Sequence, residues 1–412
     1  MSATHYLAID LGAESGRVML GTLENGRLSL EEIHRFPNQV VTKGSSLTWN
    51  LAQLEKEIAS GLEKAAQRGQ PIASLSTDSW GVDYVLLDAQ NAPVAEAHCY
   101  RDPRNNESSQ RVLKKLPFSE IYAETGIQFM AINTLYQLDA DQHDQPKAIS
   151  AADHFLNIAD YFNARFSGVA ASEQSLASTT QLYHPKRGAW SEKLISALGL
   201  PDSFFSRIVP SGTVLGPLTG PLQKLSSLTN AKVIATCSHD TGAAVAAVPA
   251  QGDKSWAYLS SGTWSLLGAE LSTPIMTDDA NKAGFTNEVG LGGTIRFLKN
   301  IAGLWVLQEC RRAWEAAGQN FNYDDLARLA VESGPAAAHI SLGDPRFFAP
   351  GDMPKKITAY CQETGQPAPS APGQFVRTVL ESLALTYAHT LQQLEKITGQ
   401  KISVLHIVGG SC

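Results

Sequence analysis

Basic charge is in short supply in this sequence: 33 Lys and Arg stand against 40 Asp and Glu, a net charge of −7 at neutral pH. Nucleic acids and anionic membranes are held chiefly through an excess of Lys and Arg, so neither is expected as a partner and small molecules are. Cysteine is sparse and scattered. Cys99, Cys237, Cys310, Cys361 and Cys412 show no CxxC spacing, which argues against a zinc site or a disulfide framework and for a reducing compartment. No apolar run reaches the length of a membrane span, and the start M-S-A-T-H-Y-L-A-I-D lacks the basic-then-apolar pattern of a secretory signal. The expectation is a soluble cytoplasmic protein.

What is present is ample core material. With 412 residues, 43% of them hydrophobic, the chain exceeds the size at which one core usually keeps growing, and two domains are expected. Tyr6 to Asp10 reads as a short strand ending in an acid. A turn-rich Leu11 to Gly16 follows, but Arg17 to Leu23 continues as a strand and not as the helix of a dinucleotide-binding unit. With Arg27 to Ile33 this makes a three-stranded meander. Asn50 is placed to cap a helix with apolar residues at Leu51, Leu54, Ile58, Leu62 and Ala65. Two strands, Ile72 to Thr77 and Val82 to Leu87, flank Asp78 to Gly81, and strand, helix and strand predict a layered α/β domain. Ser108 to Ala197 reads as mainly helix and loop, with an amphipathic segment near Ala152 to Phe166.

The stretch Val233 to Val248 is a β-branched run broken by Ser238, His239 and Asp240, then a small-residue helix. An acid at such a strand-to-helix turn sits where open α/β sheets place their chemistry. Past it the pattern restarts: Trp256 to Leu259, the turn Ser260 to Gly262, then Thr263 to Leu271 repeat the strand, Gly turn and strand of the N-terminus, a weak internal repeat. Helices at Leu304 to Ala317 and Phe375 to Thr398 and a last strand, Val404 to Val408, complete the pattern.

Several groups could carry chemistry. The two Gly turns offer backbone N–H groups to phosphate oxygens, or are plain hairpins. Asp10, just before the first turn, could hold a hydrated magnesium ion that bridges phosphates, or serve as a turn residue. Arg17 could neutralise a transferred phosphoryl group, or lie on a strand edge. Asp240 is a candidate general base and equally a helix N-cap. The block Asp78 to Asp83 puts two carboxylates, an indole and a glycine together, a set suited to polyols, although a hairpin with one buried Trp competes. Asn300 reads as the N-cap of the helix containing Gln308.

The blocks A-I-D-L-G-A-E-S-G-R, T-D-S-W-G-V-D-Y-V-L-L-D, Y-R-D-P-R, T-G-I-Q-F, N-T-L-Y-Q-L, S-H-D-T-G, Y-L-S-S-G-T-W-S-L-L-G, L-K-N-I-A-G-L-W-V-L-Q and L-H-I-V-G-G run in order through nearly the whole chain. Together they resemble the FGGY carbohydrate kinases. The resemblance implies an α/β fold of two actin-like, ribonuclease-H-like ATPase domains with a cleft between them, residues 1–243 carrying the sugar and the phosphate loop and 244–412 the nucleotide. It implies transfer of a phosphoryl group from ATP, with magnesium, to a ketose, and the W-G-V-D, S-H-D-T and S-S-G-T-W-S blocks point to L-rhamnulose or a related deoxyketose such as L-fuculose.

Carried over by position, the resemblance makes Asp240 the general base, with Gly81, His239, Thr241 and Asn300 around the sugar. Ala13, Glu14, Ser15, Gly16 and Arg17, with Thr263, Gln308 and Gly410, would contact ATP, and Asp10 would sit near the metal. Relatives continue past the Gly-rich turn, whereas this chain ends at Ser411 and Cys412. The expectation is therefore a C-terminal domain incomplete at its end. A non-catalytic sugar-binding remnant and an actin-like ATPase without a sugar substrate remain open beside the kinase.

Overall fold

A computed structural model describes residues 3–250 and 255–409. Packing divides the chain into two compact units, Met1–Ala247 with Glu270–Phe297, and Val248–Ala269 with Leu298–Cys412. Among the described residues no helix is long and apolar enough to cross a membrane. Cys99, Cys237, Cys310 and Cys361 are buried and free.

The first unit is built on a six-stranded sheet. Its N-terminal meander forms as read: β1 (Thr4–Leu11), β2 (Ser15–Glu24) and β3 (Arg27–Pro37) pair antiparallel in sequence. Alternation decides the faces, since Leu7, Ile9 and Leu11 of β1 all point to the core. Helix α1 (Leu51–Ala66) is capped by the Asn50 side chain, which accepts the N–H of Gln53 at 3.1 Å, and buries Leu54, Ile58, Leu62 and Ala65 as their spacing requires. It approaches the sheet closely at Gly61, where a Cβ would lie 2.4 Å from Val18 Cγ2.

Three more strands complete that sheet. β4 (Ile72–Ser79) lies parallel to β1 on the side away from β2. β5 (Tyr84–Leu87) leaves the sheet and pairs instead with β6 (His154–Asn157), so the hairpin weighed for Asp78 to Asp83 does not form. The amphipathic segment near Ala152 to Phe166 is β6 followed by α2 (Ile158–Ser167), and α2 is buried on nearly every face. β7 (Thr213–Pro217) and β8 (Lys232–Ala235) close the sheet in the order β7-β8-β4-β1-β2-β3, with β8 parallel to β4. Helix α3 (Asp240–Ala246) leaves the turn after β8.

A second sheet contains β9 (Trp256–Ser261), β10 (Trp264–Leu271), β11 (Thr286–Val289), β12 (Ile295–Ala302) and β13 (Val404–Val408), in the order β11-β12-β10-β9-β13. The repeat seen in sequence has a structural counterpart. β1 and β2 form a hairpin with the parallel strand β4 beside β1, and β9 and β10 form a hairpin with the parallel strand β13 beside β9. The second unit's apolar core joins α4 (Trp305–Ala316), α5 (Tyr323–Glu332) and α6 (Pro372–Thr398) through Cys310, Trp314, Leu326, Val379 and Leu383.

Close packing at Gly61 is testable. Gly61→Val puts new atoms into the branched side chain of Val18 on β2, and overpacking of this kind costs about 1–3 kcal/mol. The urea midpoint falls by the corresponding amount; a midpoint equal to that of the parent chain would show that α1 does not rest on the sheet at this point.

Candidate functional site

The ends of β1, β4 and β8 supply three carboxylates to one place. The parallel register sets Asp10 opposite Asp78 and Leu11 opposite Ser79. Beyond the strands the register continues, because Ser79 N–H donates to the Ser238 carbonyl at 2.9 Å and Trp80 N–H to the Leu11 carbonyl at 3.1 Å. Asp240 follows two residues after Ser238. The three acids therefore come together through backbone pairing, without any being close to another in sequence.

The turn that presents Asp240 is held from beneath. The buried Glu173 carboxylate accepts the N–H groups of Ser175 at 2.9 Å and Ser238 at 3.1 Å, and the Ser211 hydroxyl at 2.6 Å. Ser175 Oγ also donates to it and accepts the His239 N–H at 3.0 Å. Asp240 itself is the first residue of α3, with His239 as the N-cap, so the capping role weighed for Asp240 is shifted by one position. Its Oδ1 accepts the Thr241 N–H at 2.6 Å, and 30% of its side-chain surface stays exposed.

Clustering these acids shifts them. Burial, then the charges of Asp10 and Asp240, hold the Asp78 carboxyl well above the usual carboxylate range, and it is hydrogen-bonded to Asp10. Burial likewise raises Asp240, against the opposing pull of His239, the Thr241 N–H and Arg296. The Arg17 guanidinium binds Asp10 Oδ2 at 2.6 Å, as the cross-strand register of the two residues dictates.

His239 borders Asp240 and Gly81. Its Nε2 lies 3.5 Å from Asp240 Oδ1, and a Cβ on Gly81 would come within 3.2 Å of that nitrogen and of Thr179. Glycine at 81 thus permits the close approach without displacing either neighbour. Behind the imidazole stand Glu288, 3.2 Å from Nδ1, and Arg296, whose Nη2 is 2.9 Å from Nδ1 and 2.7 Å from Glu288. Burial alone would raise Glu288, but the Arg296 guanidinium is the largest of the influences that override it and lower its carboxyl to about 2. Neither Glu288 nor Arg296 was identifiable from sequence, because they lie on β11 and β12, about 50 residues from His239 with no motif joining them.

The block Asp78 to Asp83 behaves differently from the polyol platform its composition suggests. Trp80 is buried against Trp49 with ring centroids 4.4 Å apart. Both indoles donate to Asp83 Oδ2, at 2.9 and 2.6 Å. Burial pushes Asp83 up to about 6 despite these bonds and that from Gln137. Val82 between them has a φ of 69°, unusual for a β-branched residue. Three hydrogen bonds hold it: its N–H donates to Thr179 Oγ1, and its carbonyl accepts from Thr134 and Gln137.

The remaining expected residues fall as follows. Ala13 and Glu14 lie in the β1–β2 turn, and Ser15, Gly16 and Arg17 open β2. The turn is closed by Gly12 N–H donating to the Ser15 carbonyl at 2.9 Å and braced by Asn38 Nδ2 on the Gly12 carbonyl, also at 2.9 Å. In the second unit Thr263 Oγ1 accepts from Gln308 Nε2 at 3.1 Å, which brings together two residues expected at the nucleotide. Asn300 lies inside β12, and the residue capping α4 is Leu304, so the N-cap reading of Asn300 is incorrect. Gly409 has a φ of 111°, and a Cβ there would lie 2.4 Å from the Ser261 carbonyl. Gly410 lies outside the described residues.

Comparison with known proteins agrees along the chain. The profile of the FGGY family of carbohydrate kinases, N-terminal domain, matches residues 5–247, and that of its C-terminal domain matches residues 257–412. A rhamnulokinase from Bacteroides thetaiotaomicron is 41% identical over 406 residues, covering 98% of this chain and 83% of that protein. A rhamnulokinase from Enterobacter sp. (strain 638) is 42% identical over 417 residues, covering 100% and 83%. Among solved structures, a gluconate kinase from Lactobacillus acidophilus superimposes with a TM-score of 0.78 at 16% identity, covering 99% of this chain and 82% of the other. That likeness shows the two-domain, actin-like sugar-kinase fold.

The depressed Glu288 carboxyl makes a pH prediction. A group with its folded value near 2 and an ordinary value of 4.5 stabilises fully above pH 4.5, and the stabilisation is lost as pH falls toward 2. The difference corresponds to about 3 kcal/mol. Glu288→Gln is therefore less stable than the parent at pH 7, and the gap in urea midpoint narrows between pH 4.5 and 2. A gap independent of pH would show that Glu288 is not ionised against Arg296.

Proposed function

The chain belongs to the FGGY family of carbohydrate kinases, and from that premise we propose that it transfers the γ-phosphoryl group of ATP to the terminal hydroxyl of L-rhamnulose, giving the 1-phosphate and ADP. Similarity along the whole chain to proteins named for that sugar supports the choice of substrate. It does not favour a sugar-binding remnant, an ATPase without a sugar, or a kinase for another deoxyketose. Kinases of this family use ATP. A cytoplasmic location is part of the same proposal.

The observation that carries the chemistry is Asp240. Its carboxylate is fixed by the Thr241 N–H, reaches solvent and is raised by burial, a direction that suits a general base. In the proposed step Asp240 takes the hydroxyl proton as the sugar oxygen bonds to the γ-phosphorus. The bond from that phosphorus to the bridging oxygen breaks, and ADP leaves with the electron pair. His239, Thr241 and Gly81 would orient the sugar, together with Asn300. Ala13, Glu14, Ser15, Gly16 and Arg17 would meet the phosphates, with Thr263, Gln308 and Gly410 on the nucleotide. Residues 1–243 would thus serve the sugar and the phosphate turn, and 244–412 the nucleotide.

The acids fit a magnesium ion. Burial, then the negative charge of Asp10 and Asp240, raises the Asp78 carboxyl, a conflict that a hard dication would relieve. Among the described residues no three His, Cys, Asp or Glu side chains form a metal cage. Magnesium does not require one, since it keeps waters and binds one or two carboxylates with substrate phosphates. Asp10 and Asp78 would hold it, and its charge would offset that of the phosphates.

Asp240→Asn is expected to lower L-rhamnulose-dependent ADP release by about 10²–10⁴-fold while calorimetry still detects the sugar. Near-normal turnover would sink the assignment. Because the base must be ionised and burial raises it, kcat falls with decreasing pH from a point above the ordinary aspartate range. An acid limb at or below that range would contradict the environment assigned to Asp240.

A further inference from the structure

A fully buried guanidinium stands behind His239. The Arg296 side chain has no exposed surface, and that of Glu288, 2.7 Å away, only 8%. A well-packed apolar pair of similar volume is often at least as stable as a buried ion pair, so stability alone does not account for this one. Its contacts point to the site. Arg296 Nη1 lies 3.0 Å from Thr241 Oγ1, and Nη2 divides its contacts between Glu288 Oε2 and His239 Nδ1.

Guanidinium nitrogens only donate. Nη2 carries two hydrogens and can serve Glu288 and His239 together, and Nδ1 must then present its lone pair. The opposite arrangement has Nδ1–H donating to Glu288 at 3.2 Å. It would set that hydrogen against a guanidinium N–H at 2.9 Å, donor facing donor, at the shorter of the two contacts, whereas a lone pair on Nδ1 meets the Glu288 oxygen only at the longer one, 3.2 Å. Thr241 Oγ1 lies 3.3 and 3.2 Å from the two ring nitrogens and does not discriminate between them.

We propose that Arg296, clamped by Glu288, is a positioning residue that fixes His239 as the neutral tautomer with its proton on Nε2. That nitrogen faces Asp240 and Gly81. His239 therefore offers the sugar a hydrogen-bond donor and no acceptor. Arg296 Nη1 engages the Thr241 oxygen, leaving that hydroxyl's hydrogen as a second donor. The site selects a sugar oxygen that accepts at this position, next to the carboxylate that takes a proton. The identity of the molecule receiving these donors rests on the sugar-kinase reading; the tautomer does not.

Long-range proton–nitrogen spectra of the full chain carrying isotope-labelled histidine read the tautomer directly, with the His239 signal assigned by its loss in His239→Gln. The Nε2–H pattern is expected in the parent and in Glu288→Gln, which keeps Arg296 in place. In Arg296→Met the pattern moves to Nδ1–H, with Glu288 as the new acceptor. An Nδ1–H or doubly protonated ring in the parent overturns the assignment, as does an Nδ1–H pattern in Glu288→Gln, the variant that decides should Arg296→Met fail to fold. Arg296→Met is also expected to raise KM for the ketose about tenfold, the scale of one hydrogen bond, with kcat within about threefold of the parent. An unchanged KM overturns the selecting role. The expected tautomer in a chain that phosphorylates no ketose would instead overturn the proposed function and leave the tautomer standing.

Discussion

The hydrogen bond from Ser79 N–H to the Ser238 carbonyl carries the site of the first unit. It extends the parallel pairing of β4 and β8 past the last residue of β8 and locks the turn before α3 to the end of β4. With the β1–β4 register, this sets Asp10, Asp78 and Asp240 together. A slip of one residue in either pairing would turn every side chain of a strand to the opposite face, so the carboxylates and the apolar core share one register. Glu173 reinforces it by accepting Ser238 N–H and, through Ser175 Oγ, bracing His239.

Gathering acids has an electrostatic cost, and the unit meets it unevenly. Arg17 is spent on Asp10 and Arg296 on Glu288, which leaves Asp78 and Asp240 to raise their affinity for protons. That imbalance is useful in a phosphoryl-transfer site. A cluster already neutralised by arginines would have no use for a dication and no reason to accept a proton. The same imbalance would be a defect in a structural core, where polar groups are normally matched to partners.

Much of this was legible in the sequence because it is local. The cap at Asn50, the apolar spacing of α1 and the Gly turns depend on residues within a few positions of one another, and Asp240 was visible as an acid where a β-branched run gives way to a small-residue helix. The repeat of strand, Gly turn and strand was visible for the same reason, whereas the parallel strand beside each hairpin was not. What was not legible depends on distant partners. Asp83 looks like an acceptor for hydroxyls, yet it is consumed by Trp49 and Trp80, the former 34 residues away. Arg296 and Glu288 read as ordinary charges on alternating strands, and only the fold brings them to His239. Asn300 was misread because helix and strand propensities do not distinguish the last residues of β12 from the approach to α4.

Val82 shows how these levels combine. A β-branched residue at positive φ costs on the order of 1–3 kcal/mol, and nothing in its neighbours' chemistry demands it. The conformation persists because Thr134, Gln137 and Thr179 bond its backbone while Asp83, the next residue, is anchored between two indoles. The chain must leave β4 and yet reach the Asp83 anchor, and the left-handed residue makes that bend immediately after Gly81. The glycine is thereby held against His239 and Thr179, where a Cβ would press on both at 3.2 Å. Within the block whose composition suggested direct sugar contact, Trp80 and Asp83 act as a clamp, while Asp78 joins the carboxylates and Gly81 lies against His239.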